Sequence, residues 1–191
     1  ALPIFSTKRI NTRYWSILLA PRFANIYSNK SKMKYTFIMT GRPKSDNLAN
    51  LYKDYLNRLK NFGNVDLLLF PEIGFKKEPT PKQIELRLNE EAKTIIETLD
   101  KSAKIILIDL HGKDMDSIVF SKEIEKIKSS GTSHIYVIVG SSYGISNLLR
   151  EKAYLTLKLS SLTFTHPLAL LLAMEQVYRA EMISANKTYH K

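Results

Sequence analysis

The sequence predicts an α/β fold, a mostly parallel β-sheet with helices on both faces. Continuous apolar runs recur along the chain, and segments whose apolar residues follow a helical period lie between them. The runs show none of the alternation typical of half-exposed strands, which indicates strands buried on both faces. Because ligands of parallel sheets bind at the carboxyl ends of the strands, we expect a site in the loops that start at Asp109, Gly140 and Leu159.

The individual elements follow from these runs and from the residues that end them. Ser45 suits the N-cap of the first helix, Gly41 and Pro43 end the first strand, and the proline-containing segment 71–81 predicts a loop. The predicted order is strand 34–40, helix from Ser45 through Leu59, strand 65–70, helix 82–99, strand 103–110, a helix marked by Val119, Ile124 and Ile127, strand 134–139, and a helix that begins near His166.

The charge of the 191-residue chain is strongly positive and unevenly distributed. The chain holds 29 Lys and Arg against 18 Asp and Glu, a formal net charge of +11, and its pI of about 9.7 points to a nucleic-acid partner. Residues 1–32 carry six of the basic residues and no acidic one, which leaves a net +5 for the rest. We therefore divide the chain into a basic N-terminal extension, 1–32, and a domain, 33–191.

The extension has the composition of an organellar presequence, in which basic, Ser- and Asn-rich sequence alternates with large apolar residues. This favours the mitochondrial matrix, or a plastid stroma, with the bacterial cytoplasm as the alternative. Two other interpretations stay open: an arm that binds RNA or a ribosomal surface, and upstream sequence with no role.

Composition also excludes several classes of site. The chain has no cysteine, so it can form neither disulfides nor thiolate metal sites, and we predict no metal centre. Its longest apolar run near the C-terminus, residues 168–174, ends at Glu175 and is much shorter than the roughly 20 residues that a membrane span requires. We expect no membrane association through a spanning helix.

Residues 140–144, with a glycine at each end, form the first candidate site. The glycine spacing differs from the dinucleotide fingerprint, and the segment lacks the lysine of a phosphate-binding loop. The simpler interpretation is a tight turn. The functional one is a loop whose missing side chains let the backbone approach a flat ligand such as an adenine ring.

Two further segments have both a structural and a functional interpretation. Residues 159–164 favour neither strand nor helix, as is typical of backbone that wraps a ligand, whereas Thr165 and Pro167 suit a helix start and make His166 a capping-region residue. Residues 189–191 are either a solvated polar end or a tail that folds back into a site. Glu175 and Arg179 stand four residues apart, which predicts an ion pair on a helix surface.

Five motifs, taken in order, resemble the ribosomal large-subunit RNA methyltransferase H family of the SPOUT superfamily. The resemblance covers about residues 33–191. The motifs are Asp-Leu-His-Gly-Lys at 109–113, the turn at 140–144, the segment 159–166, Glu-Gln-Val-Tyr-Arg-Ala at 175–180 and Tyr-His-Lys at 189–191.

The resemblance implies a fold, a reaction and an assembly. The fold is an α/β domain with a C-terminal trefoil knot, and the protein is a homodimer that uses S-adenosylmethionine. The reaction is methylation of N3 of a pseudouridine in large-subunit rRNA within the assembled ribosome.

The resemblance also implies roles for individual residues. His190 matches the substrate-side tail of the family and is the expected proton acceptor or substrate-orienting group, because an unperturbed imidazole titrates near neutral pH, and Lys191 offers charge to phosphate. Tyr189 belongs to the same catalytic tail. The implied cofactor-binding residues are Ile108, Gly140, Leu159, Ser160, Ser161, Leu162, Thr163 and Phe164.

Three residues depart from the family pattern. Ser141 replaces a second glycine, Thr165 replaces a frequent proline, and Leu170 stands where bacterial members have an arginine near the active site. The missing arginine removes a charge-assisted contact of about 1.5–3 kcal/mol. The alternative function is therefore a catalytically inactive SPOUT-fold ribosome assembly factor or ribosomal protein.

Overall fold

Strands and helices alternate along the domain, whose computed structural model describes residues 33–43, 45–72, 74–75, 77–187 and 189. Residues 1–32 lie outside this description, so their predicted roles stay predictions. The elements are β1 (Lys34–Thr40), α1 (Asp46–Leu59), β2 (Asn64–Phe70), α2 (Pro81–Glu97), β3 (Lys104–Lys113), α3 (Ser117–Ser129), β4 (His134–Val139), α4 (Asn147–Lys152), β5 (Leu155–Leu157) and α5 (His166–Ser184).

The five strands form one sheet in the order β2-β1-β4-β3-β5, and every neighbouring pair is parallel. All six residues of β4 are buried, since this strand has a neighbour on both sides and helices on both faces. The edge strand β2 is more exposed, and Leu68 in it is 39% accessible. The prediction of a parallel α/β sheet is confirmed.

Side chains alternate between two apolar cores, one on each face of the sheet. Phe37 and Val137 point to the side covered by α1, α3 and α5, whereas Ile38 and Ile138 point to the side covered by α2 and α4. The strands read as continuous apolar runs because both of their faces are buried. Helices on both faces were predicted, and this is confirmed.

Three helix starts are fixed by side-chain caps, and two predicted caps are not formed. At the start of α4 the Ser146 hydroxyl accepts from the Leu148 amide at 3.1 Å. The Thr80 hydroxyl accepts from the backbone amide of Gln83 while the Gln83 side chain accepts from the Thr80 amide, a capping box for α2. Asp116 caps α3 through the Val119 amide at 2.7 Å. Ser45 and Thr165 occupy the N-cap positions of α1 and α5, but neither side chain makes a capping hydrogen bond.

The structure corrects the predicted end of the third strand. β3 continues to Lys113 instead of ending at Leu110, because a bulge lets both Ile108 and Lys113 pair with Leu157 of β5. Gly112 permits this approach, since a Cβ there would lie 2.5 Å from the Leu157 carbonyl carbon. The short helix α4 was not among the predicted elements, whereas β5 is the strand expected before the loop that starts at Leu159.

His134 begins β4 and is 6% accessible. Its Nδ1 lies 2.6 Å from Asp100 Oδ2, and its Nε2 lies 2.9 Å from Thr36 Oγ1. Both ring nitrogens therefore have a polar partner, so the imidazole is buried without an unsatisfied hydrogen-bonding group.

A buried carboxylate joins α5 to the sheet and to α3. Glu181 is 4% accessible; it accepts a hydrogen bond from the Tyr35 hydroxyl of β1, and its Oε2 lies 2.6 Å from Lys128 Nζ of α3. Burial, followed by the charge of Glu181, raises the pKa of Tyr35 well above its ordinary value. Tyr35 is therefore neutral, and its hydroxyl donates a hydrogen bond to the Glu181 carboxylate.

None of the helices within the described ranges is both long and apolar enough to cross a bilayer.

Candidate functional site

A pocket of about 410 Å³ lies at the carboxyl edge of the sheet, within the size range of small-molecule sites. The ends of β3 and β4, the segment after β5 and the start of α5 form its walls. Its lining consists of Ile108, Asp109, Leu110, Val139, Gly140, Ser141, Ser142, Gly144, Ile145, Leu159, Ser160, Leu162, Thr163, Phe164, Thr165, His166 and Ala169.

One wall is the turn at residues 140–144. The backbone of Ser141 and Gly144 exchanges two hydrogen bonds, of 3.2 Å and 3.0 Å, and Gly144 has a φ of +108°, which favours glycine. A Cβ on Gly140 would collide with the Gly144 carbonyl oxygen. The segment is thus the tight turn that its glycines predicted, and the turn lines the pocket.

The opposite wall is the irregular segment 159–165, which is neither helix nor strand, as predicted. The Ser160 hydroxyl accepts from the Leu162 amide at 3.0 Å, and the Lys158 amine donates to the Ser161 hydroxyl at 3.4 Å. Leu162 is 73% accessible, an exposed apolar side chain at the pocket rim. This wall offers backbone groups and apolar side chains to a ligand.

Seven of the eight residues named as cofactor-binding lie together around this pocket; Ser161 is in the same segment but does not line it. Gly140 and Leu159, far apart in the sequence, thus meet at one site. Their role toward a cofactor stays a prediction, since placement alone identifies no ligand.

Asp109 belongs to the part of β3 that lines the pocket, and Arg150 of α4 holds its carboxylate in place. Arg150 Nε donates to its carboxylate at 2.6 Å, and the His111 backbone amide donates at 3.1 Å. Burial by itself would raise the pKa of the Asp109 carboxyl. The hydrogen bond and positive charge of Arg150, together with the hydrogen bond from the His111 amide, outweigh the effect of burial, so the pKa lies below its ordinary value. Asp109 is thus a fixed negative charge whose side chain is only 7% accessible.

Ser141, the residue in place of a family glycine, is accommodated without blocking the turn. It is 8% accessible, and its hydroxyl lies beside the Glu91 carboxyl of α2. Burial raises the pKa of Glu91 above its ordinary value, and the Ser141 hydroxyl opposes this shift. Ser141 therefore lies close to α2 and also lines the pocket.

Tyr189, the one residue of the predicted catalytic tail that the structure describes, does not line the pocket. Tyr189 packs on α5, with its ring 5.0 Å from that of Tyr178, its hydroxyl 3.5 Å from Glu175 Oε1 and the Arg179 guanidinium 4.8 Å from its ring. The predicted Glu175–Arg179 ion pair is confirmed, at 2.5 Å. His190 and Lys191 lie outside the described residues.

Leu170 is fully buried in the core beneath α5 and does not line the pocket, although its neighbour Ala169 does.

His166 lines the pocket and lies 3.9 Å from Glu72, so it has contacts beyond those of a residue that only begins a helix. Glu72 and Arg150 were not predicted as part of the site. Both are single charged residues whose partners lie far along the chain, and no local pattern marks them.

The fold and the pocket together define a class: a parallel α/β protein with a ligand-sized site built from loops at the carboxyl edge of its sheet. A family model described as predicted SPOUT methyltransferase matches residues 33–190. The chain belongs to the SPOUT methyltransferase family.

Two curated relatives show the extent of the similarity. A ribosomal RNA large subunit methyltransferase H from Syntrophomonas wolfei is 31% identical over 159 residues, which are 83% of this chain and 100% of that protein. The protein of the same name from Malacoplasma penetrans is 36% identical over 160 residues, with the same shares of both chains.

Among solved structures, the SpoU methyltransferase AviRb from Streptomyces viridochromogenes is similar with a TM-score of 0.41 and 14% identity. The match covers 83% of this chain and 63% of that one.

Proposed function

We propose that this protein is an S-adenosylmethionine-dependent rRNA methyltransferase that methylates N3 of a pseudouridine in large-subunit rRNA. The observation that carries the proposal is the meeting of the Gly140 turn and the 159–164 segment at one pocket, in a chain of the SPOUT methyltransferase family. Relatives that align over their whole length are named rRNA large subunit methyltransferases.

The pocket suits S-adenosylmethionine in size and chemistry. Apolar side chains such as Ile108 and Leu159 suit the flat adenine ring and the methylene chain, while the backbone of the glycine turn and of the loop offers hydrogen-bonding groups. Gly140 and the residues from Leu159 to Phe164 would hold the molecule. When bound, it supplies an electrophilic methyl group on a sulfonium.

The residues of the chain would provide orientation and handle the proton of the substrate. Methyl transfer requires donor and acceptor to be held in line, so most of the rate enhancement is positional. We assign His190 as the group that accepts the N3 proton or orients the base, Lys191 as a phosphate contact, and Tyr189 as part of the same tail.

We further propose a homodimer, with a trefoil knot at the C-terminal part of each domain. Tyr189 packs on α5 and does not line the pocket of its own chain, which supports a tail that acts at the pocket of a partner copy. This arrangement would bring the tail of one copy and the cofactor pocket of the other to the same pseudouridine.

The expected substrate is the assembled ribosome rather than free rRNA. Residues 33–191 carry a net charge of only +5, too little to hold naked RNA tightly at physiological salt. The basic composition of residues 1–32 supports a mitochondrial or other organellar location.

Nucleoside mapping by mass spectrometry of rRNA from cells with and without the protein tests the activity. We expect one N3-methylated pseudouridine to disappear when the protein is absent. His190→Ala should leave S-adenosylmethionine affinity nearly unchanged and lower methyl transfer to ribosomes, whereas His111→Ala, an exposed histidine that does not line the pocket, serves as control. Full turnover by the His190 variant would remove this residue from the mechanism.

A catalytically inactive SPOUT-fold ribosome factor is the second candidate, motivated by Leu170 in place of an arginine. Calorimetric titration with S-adenosylmethionine separates the two, since a factor without the reaction need not bind the methyl donor. No detectable binding of S-adenosylmethionine would favour the inactive factor.

A further inference from the structure

Two walls of the pocket meet at a single carboxylate that is not itself part of the pocket lining. Glu72, just after β2, accepts hydrogen bonds from the backbone amide of Ser142, at 3.2 Å, and from the Ser142 hydroxyl. Its other oxygen lies 3.9 Å from His166 Nε2. Ser142 belongs to the glycine turn and His166 to the first turn of α5, so Glu72 bridges the two walls from behind.

Gly41, at the end of β1, provides the space for this arrangement. Its φ of +100° favours glycine, and a Cβ there would lie 2.8 Å from His166 Nε2 and 3.3 Å from Glu72 Oε2. The His166 ring and the Glu72 carboxylate thus both pack against the bare Cα of Gly41. The ends of β1, β2 and β4 and the start of α5 converge at one point.

The loop that carries Glu72 contacts the glycine turn a second time. The ring of Phe75 packs edge-on against that of Tyr143 with centroids 5.2 Å apart, and the Arg87 guanidinium of α2 lies 5.7 Å from the Phe75 centroid. Two consecutive residues of the turn, Ser142 and Tyr143, are therefore held by the same loop.

We propose that Glu72 is a positioning residue that holds the glycine turn and the start of α5 in place and thereby sets the affinity of the pocket for its ligand. A pocket whose walls are already in place loses less conformational freedom when it binds, so its affinity is higher. The carboxylate is suited to this role because one oxygen accepts both donors of Ser142 while the other faces an imidazole that can carry a positive charge. Only the identity of the ligand rests on the proposed function.

Three variants of the full-length chain test the inference. Glu72→Ala removes both contacts, Glu72→Gln keeps an acceptor for Ser142 but loses the charge that faces His166, and Glu78→Ala, an exposed carboxylate of the same loop, is the matched control. Titration with S-adenosylmethionine should show about tenfold weaker binding for Glu72→Ala, an intermediate loss for Glu72→Gln and no change for Glu78→Ala. The KM for the donor should rise more than kcat falls, since the reacting groups are untouched.

Hydrogen–deuterium exchange of the ligand-free protein provides a readout independent of the ligand. We expect Glu72→Ala to speed exchange in the peptides that cover both residues 140–146 and 160–167, while exchange in β4 is unchanged. Unaltered exchange at both walls, or equal donor affinity of Glu72→Ala and the unsubstituted protein, would overturn the positioning role. If the unsubstituted protein binds no S-adenosylmethionine, the proposed function fails, and the exchange experiment still decides the role of Glu72.

Discussion

At the scale of single residues, several important positions of this domain are those with the smallest side chains. Gly112 lets β3 approach β5, and Gly140 lets the pocket turn close on itself. Gly41 differs because the groups that occupy its free space are themselves polar and adjoin the pocket. Replacing it therefore tests the site as well as the backbone.

Gly41→Ala should destabilise the domain and also weaken the pocket. Gly131 is the matched control, because it also has a positive φ, +82°, but no atom lies within 4 Å of its expected Cβ. Gly131→Ala should cost only the conformational strain, about 1–2 kcal/mol. Gly41→Ala adds a collision that displaces the His166 ring. Urea unfolding should therefore show a larger decrease in the free energy of unfolding for Gly41→Ala than for Gly131→Ala.

The second measurement for this pair is S-adenosylmethionine affinity by calorimetry. We expect a decrease for Gly41→Ala and none for Gly131→Ala, which lies between α3 and β4 and does not line the pocket. If both alanine variants bind equally well, the close approach of His166 to Gly41 has no influence on the site.

At the scale of elements, α5 has two tasks. Its first turn carries His166 to the pocket, and its last turns are fixed to β1 and α3 through Glu181. Leu170, Ala173 and Val177 between these ends are buried in the core. The position of the pocket wall therefore depends on how the whole helix is docked.

Glu181→Ala should destabilise the domain by about 3 kcal/mol, because it leaves the buried Tyr35 hydroxyl without its acceptor and removes the more buried of the two carboxylates that contact the Lys128 ammonium. Glu125→Ala removes the other carboxylate of the same lysine, 2.9 Å from Nζ but 48% accessible, and should cost less than about 1 kcal/mol. The free energies of unfolding in urea give both values. Similar small losses for the two variants would show that the buried contact contributes little.

The elements also show how far the sequence could predict this molecule. β1, β3 and β4 were recognisable because strands covered on both faces require uninterrupted apolar residues, and the irregular segment after Leu157 was recognisable because it lacks any period. The extension of β3 through Lys113 was missed, since its residues are polar and its pairing depends on a bulge. The Glu72–Ser142 contact joins residues 70 positions apart, and a lone glutamate in a loop gives no sign of its partner.

At the scale of the whole molecule, charge and binding chemistry lie in different parts of the chain. Every residue that lines the pocket falls between positions 108 and 169, whereas residues 1–32 hold six of the basic residues. The relative from Syntrophomonas wolfei aligns over its full length with 83% of this chain.

Removal of residues 1–32 should leave S-adenosylmethionine affinity unchanged and weaken the attraction to RNA. If all six positive charges contact phosphate, the slope of log affinity against log salt concentration decreases in magnitude by about 4 to 5. Filter binding of an rRNA fragment at several salt concentrations measures this slope for both proteins. Equal slopes would mean that the extension does not touch RNA.

The order of the elements along the chain has a consequence for biosynthesis. The segment 159–165 and the start of α5 follow all five strands in the sequence, yet they supply one wall of the pocket and part of one core. During synthesis from the N-terminus the chain can therefore pair its strands before the pocket exists. A nascent chain whose residue 169 has not yet emerged from the ribosome has no complete cavity for a small molecule.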